Sequence, residues 1–385
     1  MAQFNTHSPA ELERRSKMAL RLKHGKEAQN TALAAAEVAP KEGSTVKNIP
    51  FPKGLAPVPK PIDPAPKPED SLPKVDVIAM MDTTAEAQAM ADVLTPGHDR
   101  TSWYPYTKNY EKHFRPLVGK NGPSNFSKRL GSYFVIEINK IKVLVYKTEL
   151  HMHPDAKKMP NGTYSLPIKD MFTQMIEDSR PKVFLTTGTS GGVYCSMSLG
   201  DVSVSRAARF HCEKDFLKSP FNNKTFKSNW TIPKKYIPQA EKLMHKYADH
   251  LTGKTVPKGT PPNSKCGCSP LTYPTKIHFD GVDGIPEFHP ILTTDFFEFG
   301  TSVNNLDKVG MAVEMDDAVL GLVCSEMKSP PKWACVRNLS DPTINGKLDS
   351  KTQDQCAEYY YKKFGYWTTV MGALTTWGII AGMSK

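Results

Sequence analysis

Short apolar runs alternate with helix-patterned segments along most of this 385-residue chain, and that alternation constrains its fold more than any other feature. Val75–Met80 is apolar and of strand length, and Ala85–Leu94 after it has helical character. Tyr133–Leu150 reads as two strands joined at Asn139-Lys140, a hairpin. Ser165–Asp178 spaces Leu166, Ile168, Met171, Met175 and Ile176 along one helical face. Val183–Thr187, Val202–Ser205, Ala312–Glu314 and Trp333–Leu339 read as further strands, Asp316–Met327 and Thr352–Met383 as further helices. Such alternation gives an α/β fold with a mixed or parallel sheet, and these sheets hold ligands beyond the carboxyl ends of their strands.

The first 74 residues stand apart. They hold 11 of the 32 prolines, nine of them between Pro50 and Pro73, which excludes one uniform globular domain starting at Met1. A short amphipathic helix is expected within Pro9–Ala36, then a polyproline-type linker or surface arm over Pro40–Pro73. The expected division is a Pro-rich, flexible arm over 1–74 and a catalytic domain over 75–385 with a Lys-rich insertion at 211–289.

The net charge of +11 is uneven: residues 211–265 alone carry 11 Lys against 4 Asp+Glu. Charge confined to lysines of one segment argues against a nucleic-acid face, which needs a broad basic stripe with Arg. It leaves either a solvated surface or an attraction for an anionic substrate group. Seven cysteines and a polar, charged Met1–Lys26 without an apolar leader fit free thiols in a reducing, cytoplasmic setting. Trp367–Met383, interrupted by three glycines and four threonines, is too short for a membrane span and is expected to be a buried helix.

Four segments at predicted strand ends carry residues suited to chemistry. Thr186-Thr187-Gly188-Thr189-Ser190-Gly191-Gly192 offers backbone N–H groups and hydroxyls to a ligand; alone, it is an ordinary tight turn. Leu199-Gly200-Asp201-Val202 and Arg206–His211 follow it. Thr293-Thr294-Asp295-Phe296-Phe297-Glu298 places aromatic rings where a planar base could stack, although adjacent phenylalanines are equally core residues. Val313-Glu314-Met315-Asp316-Asp317-Ala318 gathers three carboxylates at a helix mouth, where capping is the plain alternative. Arg337-Asn338-Leu339-Ser340-Asp341 ends a strand in a carboxylate, with a Ser-Asp-Pro turn as its plain reading.

In this order the four segments resemble the purine nucleoside phosphorylase/methylthioadenosine nucleosidase superfamily, more closely its nucleosidase branch, over about residues 75–385. That branch has a TGSAGG-like loop, a LGDIVVS-ARYH strand, an S-D-x-F segment, a VEMEA motif and an R-x-x-SD motif. The resemblance implies a three-layer α/β/α fold with a central mixed sheet, nucleoside phosphorylase-like, plus the Pro-rich arm. It implies that Asp341 protonates the purine leaving group with Ser340 orienting it, and that Phe297 stacks on the base beside the backbone of Glu298. Glu314, Met315 and Asp316 would lie under the ribose, with Asp316 gripping its hydroxyls. Thr189, Ser190 and Gly191 would line the ribose and the nucleophile, supported by Arg337. These residue types suit an N-glycosidic bond that breaks through an oxocarbenium-like state and expels a poor purine anion.

Glu86 fills the place of the family's water-activating Glu if a short insertion after Met80 is allowed; ungapped matching puts a Thr there instead. Asp316 is one methylene shorter than the usual Glu. Position 186 is Thr where hexameric phosphorylases carry an Arg, and no early GDPxRA-like segment is present, so phosphate has no evident anchor. The expected activity is hydrolysis of a purine nucleoside, or of a nucleotide if Lys214, Lys218, Lys224 and Lys227 meet a 5′-phosphate. The alternatives are a phosphate-dependent phosphorylase and a non-catalytic nucleoside-binding protein. A homodimer or larger oligomer is expected, with no nucleic-acid or membrane partner and no cofactor. Cys266-Gly267-Cys268 and His151-Met152-His153 each read as half a metal site at most, and no metal is assigned.

Overall fold

The computed structural model describes residues 8–24, 46–153, 155–194, 197–251, 275–280, 288–298, 305–342 and 350–384. Its helices used below are α1 (Pro9–His24), α2 (Thr84–Leu94), α3 (Pro167–Ser179), α4 (Ile237–Tyr247), α5 (Asp317–Glu326) and α6 (Ser350–Ala381).

Strand β2 (Val77–Met81) is buried at all five positions, as a strand covered on both faces must be. The order of the main sheet is β1 (Val58–Pro59), β4 (Gly131–Ile138), β5 (Ile141–Thr148), β2, β6 (Val183–Gly192), β12 (Ala312–Glu314), β11 (Ile291–Thr293), β8 (Ala207–Phe210) and β9 (Thr225–Lys227). The sheet is mixed: β2 runs parallel to β5 and β6, whereas β4–β5 and β12–β6 are antiparallel. Near its end β6 forks. Its length pairs in parallel with β13 (Lys332–Pro342), while Gly191 and Gly192 also face β12. Beyond β13 lie β7 (Val202–Ser205) and β10 (Ile277–Phe279), and β3 (Tyr104–Tyr106) adds to β4.

Alternation along the strands sorts the core into two layers. Val77, Ala79 and Met81 face α2, α4 and α6, while Ile78 and Met80 face α3 and α5. The result is the three-layer α/β/α fold with a central mixed sheet that the resemblance implies, and the α/β class expected from the alternation. The β4–β5 hairpin turns at Asn139 and Lys140, both at positive φ, the backbone of a two-residue turn. The Trp367–Met383 stretch forms most of the apolar end of α6, and Trp377, Ile379 and Ile380 are fully buried. No helix among the described residues is long and apolar enough to cross a membrane.

The Pro-rich segment differs from the expected loose arm. From Val46 onward it lies on the sheet and helices, with Val46, Leu55 and Leu72 buried. β1 pairs with β4, and the Trp377 indole N–H donates to the Leu55 carbonyl at 2.7 Å. An extended, proline-spaced chain has few donors to leave unsatisfied, so it serves as an edge. The Lys-rich segment likewise extends the sheet through β9 and packs α4 into the core. Cys212, Cys324 and Cys335 are free, but Cys356 is disulfide-bonded, which corrects the expectation of free thiols throughout. Cys195, Cys266 and Cys268 lie outside the described residues.

Candidate active site

The first turn of α2 starts the site. Thr83 Oγ1 accepts from the Glu86 N–H at 3.3 Å, and Glu86 Oε2 accepts from the N–H groups of Thr83 at 2.8 Å and Asp82 at 2.9 Å. This capping box satisfies N–H groups that a helix start leaves orphaned. The second oxygen, Oε1, accepts from the Thr189 N–H at 2.7 Å and its hydroxyl at 2.6 Å. Four donors therefore converge on one carboxylate. Gly188 makes the approach feasible, since a Cβ there would lie 2.8 Å from the Glu86 carboxyl carbon and 2.9 Å from Arg337 Nη1.

Arg337, 1% exposed on β13, organises the neighbouring charges. Its Nε donates to Asp317 Oδ2 at 2.9 Å, Nη1 to Asp82 Oδ2 at 3.0 Å, and Nη2 to Asp317 Oδ1. Nη2 also lies 3.3 Å from Glu314 Oε2. Burial works against the guanidinium charge, but Asp317, Glu314 and Asp82 outweigh it and hold Arg337 protonated. Glu314 accepts from the Asp317 N–H at 2.9 Å, the Asp316 N–H at 2.5 Å and the Thr293 hydroxyl. Burial first, then Asp317, push its carboxyl up to about 8 against the pull of Arg337.

These groups line a cleft of about 570 Å³, part of it open to solvent. Of the residues singled out in the sequence, Glu86, Thr189, Ser190, Gly191, Phe297, Glu298, Glu314, Met315, Arg337 and Ser340 all line it. Five separate stretches of chain thus meet at one cavity. Asp341 is the last residue but one of β13, its backbone beside Gly191 after a register shift that follows Leu339; its side chain lies outside the described residues.

Asp316 departs from the expected place under a ribose. It is fully buried and does not line the cleft. Its Oδ1 accepts from the Met152 N–H at 2.7 Å and its Oδ2 lies 3.1 Å from His151 Nδ1. The short side chain is anchored behind the wall, and Glu314 and Met315 present themselves to the cavity instead. The lining also holds Thr294 and Val313, which lie in two of the four segments but were given no role, and Asp82, Thr83 and Tyr361, which were not foreseen. Tyr361 comes from α6 and donates to Thr83 Oγ1 at 3.2 Å. An acid directly after a buried strand was the available signal for Asp82; nothing in the pattern of α6 singled out Tyr361.

Asp82, His151 and Asp316 have ligand-type atoms within 4.8 Å of one another, so the trio could hold a metal ion. Asp82 is already bonded to Arg337, and Asp316 to Met152 and His151. The other histidine of that motif, His153, pairs with Asp215 at 2.7 Å. Of the four lysines considered for a phosphate, none lines the cleft. Lys214 meets Glu13 and Ser16, Lys227 lies over the Phe288 ring, and Lys218 and Lys224 are exposed.

No protein-family model and no curated protein matches the chain. Its likeness is to solved nucleosidases. Futalosine hydrolase of Helicobacter pylori superposes with a TM-score of 0.45 at 12% identity, covering 80% of this chain and 99% of that one. The 5′-methylthioadenosine/S-adenosylhomocysteine nucleosidase of Neisseria meningitidis, in complex with methylthio-immucillin-A, gives 0.43 at 12%, covering 80% and 100%. The S-adenosylhomocysteine nucleosidase of Streptococcus pyogenes, in complex with 5-methylthiotubericidin, gives 0.44 at 11%, covering 82% and 100%.

Proposed function

We propose that the cleft hydrolyses the N-glycosidic bond of a purine nucleoside, releasing free base and sugar. The observation that carries this reading is the meeting of Glu86, held against Thr189, with Phe297, Met315, Glu314, Arg337 and Ser340 around one cavity. Each matches a position of the family's motifs, and the inserted register that selects Glu86 over a Thr is the one that brings a carboxylate to the Gly-rich loop.

In this reading Phe297 stacks on the base, Met315 and Glu314 face the ribose, and Asp341 protonates the departing purine. Glu86 activates water. Three of its four donors are backbone N–H groups and fixed, while the Thr189 hydroxyl can rotate. Turning that hydroxyl toward a sugar oxygen frees a lone pair on Oε1 for the attacking water. Glu86 also adds a carboxylate to the lining, which favours a transition state with positive charge on the sugar.

Hydrolysis is favoured over phosphorolysis by one observation. Among the described residues that line the cleft, Arg337 is the only cation, and its donors are committed to Asp82 and Asp317. An incoming phosphate would find no open guanidinium or ammonium there. The same lining favours a substrate without a 5′-phosphate.

The test is incubation with adenosine, inosine, 5′-methylthioadenosine and AMP, with and without phosphate, with chromatography of the freed base. Base release independent of phosphate, and lost by about 10²-fold or more in Asp341→Asn, is expected. Release that requires phosphate would make the protein a phosphorylase. No release from any substrate, with retained binding, would make it a binding protein.

A further inference from the structure

The N-terminal helix α1 belongs to none of the family-like segments, yet it pairs with Glu298, which lines the cleft. Leu12, Arg15 and Ser16, spaced i, i+3 and i+4, form a buried face on the described side chains of its first half. Arg15 is 2% exposed, and its Nη1 donates to Glu298 Oε1 at 2.6 Å and lies 3.5 Å from the Phe297 carbonyl oxygen. Its Nε donates to Glu11 Oε1 at 2.7 Å, which fixes the guanidinium on the helix. A second tie runs from Lys214, whose Nζ donates to Ser16 Oγ at 2.9 Å and lies 3.1 Å from Glu13.

We infer that Arg15 is a positioning residue for base recognition: it neutralises and orients Glu298 at the end of the cleft where Phe297 stacks. This rests on the nucleosidase reading for its substrate, although not for its geometry. Glu298 has a fully buried side chain and lines the cleft beside Phe297. A buried carboxylate there repels a purine on which negative charge develops as the bond breaks. Arg15 cancels that field and, by holding the 297–298 backbone, keeps the stacking ring and the neighbouring peptide groups in place. Arg15 lies 283 residues before Glu298, so α1 joins this part of the cleft from outside the sheet scaffold.

The full-length wild type, Arg15→Ala, Arg15→Lys, Glu298→Gln and Arg15→Ala/Glu298→Gln would be compared. The readouts are kcat and KM for 5′-methylthioadenosine and adenosine, adenine binding by calorimetry, and melting temperature. In Arg15→Ala, KM and the adenine Kd should rise about tenfold or more with kcat within about threefold, since an interaction that serves binding is lost. Arg15→Lys should recover part of the loss, as a point charge without the guanidinium fork. The double variant should recover most of it, because removing the Glu298 charge removes what Arg15 neutralises. A helix that merely docks would give no such rescue. Unchanged KM and adenine binding in Arg15→Ala, or a double variant no better than Arg15→Ala, overturns the inference. If wild type releases no base but adenine binding shows the same pattern, the nucleosidase reading fails and the role of Arg15 stands.

Discussion

At its inner end the cleft is framed by Glu86, Thr189, Glu314 and Arg337, which come from the first turn of α2, the end of β6, the end of β12 and the middle of β13. At its outer end Phe297 and Glu298 follow the three-residue strand β11 and are backed by Arg15 from α1. The inner residues are fixed by hydrogen bonds among strands that also form the core, so none can shift without exposing a buried charge to its neighbours. The outer end is tied to other parts of the chain as well: Arg15 pairs with Glu298, Lys214 with Glu13 of α1, and Phe297 packs against Ala357 and Tyr361 of α6. In the proposed reading, the catalytic groups stand where the scaffold is over-determined, and base recognition leans on a separate helix outside the sheet.

The strongest challenge to that contrast is Arg337→Gln. It leaves Asp82, Asp317 and Glu314 without their shared guanidinium, and a loss of about 3–5 kcal/mol is expected in urea unfolding. A loss under about 1 kcal/mol would show that the inner end is not charge-locked. Glu86→Gln should come next, with base release reduced about 10²- to 10⁴-fold as a general base is removed. Its stability should also fall by about 1–3 kcal/mol, since an amide N–H₂ would face donors that now find an oxygen.

Asp316→Asn separates wall from lining. Asp316 holds Met152 and His151 and stays off the cavity, so stability should fall by about 1–3 kcal/mol while kcat/KM changes less than about threefold. A KM rise of tenfold or more would return Asp316 to the sugar. The smallest effect is in pH dependence. Burial raises the Glu314 carboxyl to about 8, so the folded state holds a proton that the unfolded chain has released. That contribution is full below the ordinary carboxylate range and is lost as pH rises through about 8. The melting temperature should therefore fall by about 2 °C between pH 6.5 and pH 8, and Glu314→Gln should flatten this slope.

The strands that form the middle of the sheet were legible because burial on both faces leaves a continuous apolar run, as in Val77–Met81. Val58–Pro59, Thr225–Lys227 and Ile291–Thr293 were not, because two or three residues carry no period and owe their conformation to pairing. Proline content suggested a loose arm, but it says nothing of what Leu55 and Leu72 bury. Most of the cleft was legible through motif order, which fixes where a residue stands on a strand end. It does not fix where a side chain points. Asp316 is turned by His151, 165 residues upstream, and Arg15 joins the site from outside every motif.

One carboxylate both opens α2 and faces the cleft. A relative of this protein without any catalytic activity would still need Glu86 to start that helix and to hold Thr189. Its persistence across relatives would therefore be no proof that they are enzymes. Lining residues that take no part in starting a helix or locking a buried charge, such as Ser340, would be the ones to drift first, and they are the better markers of a working site.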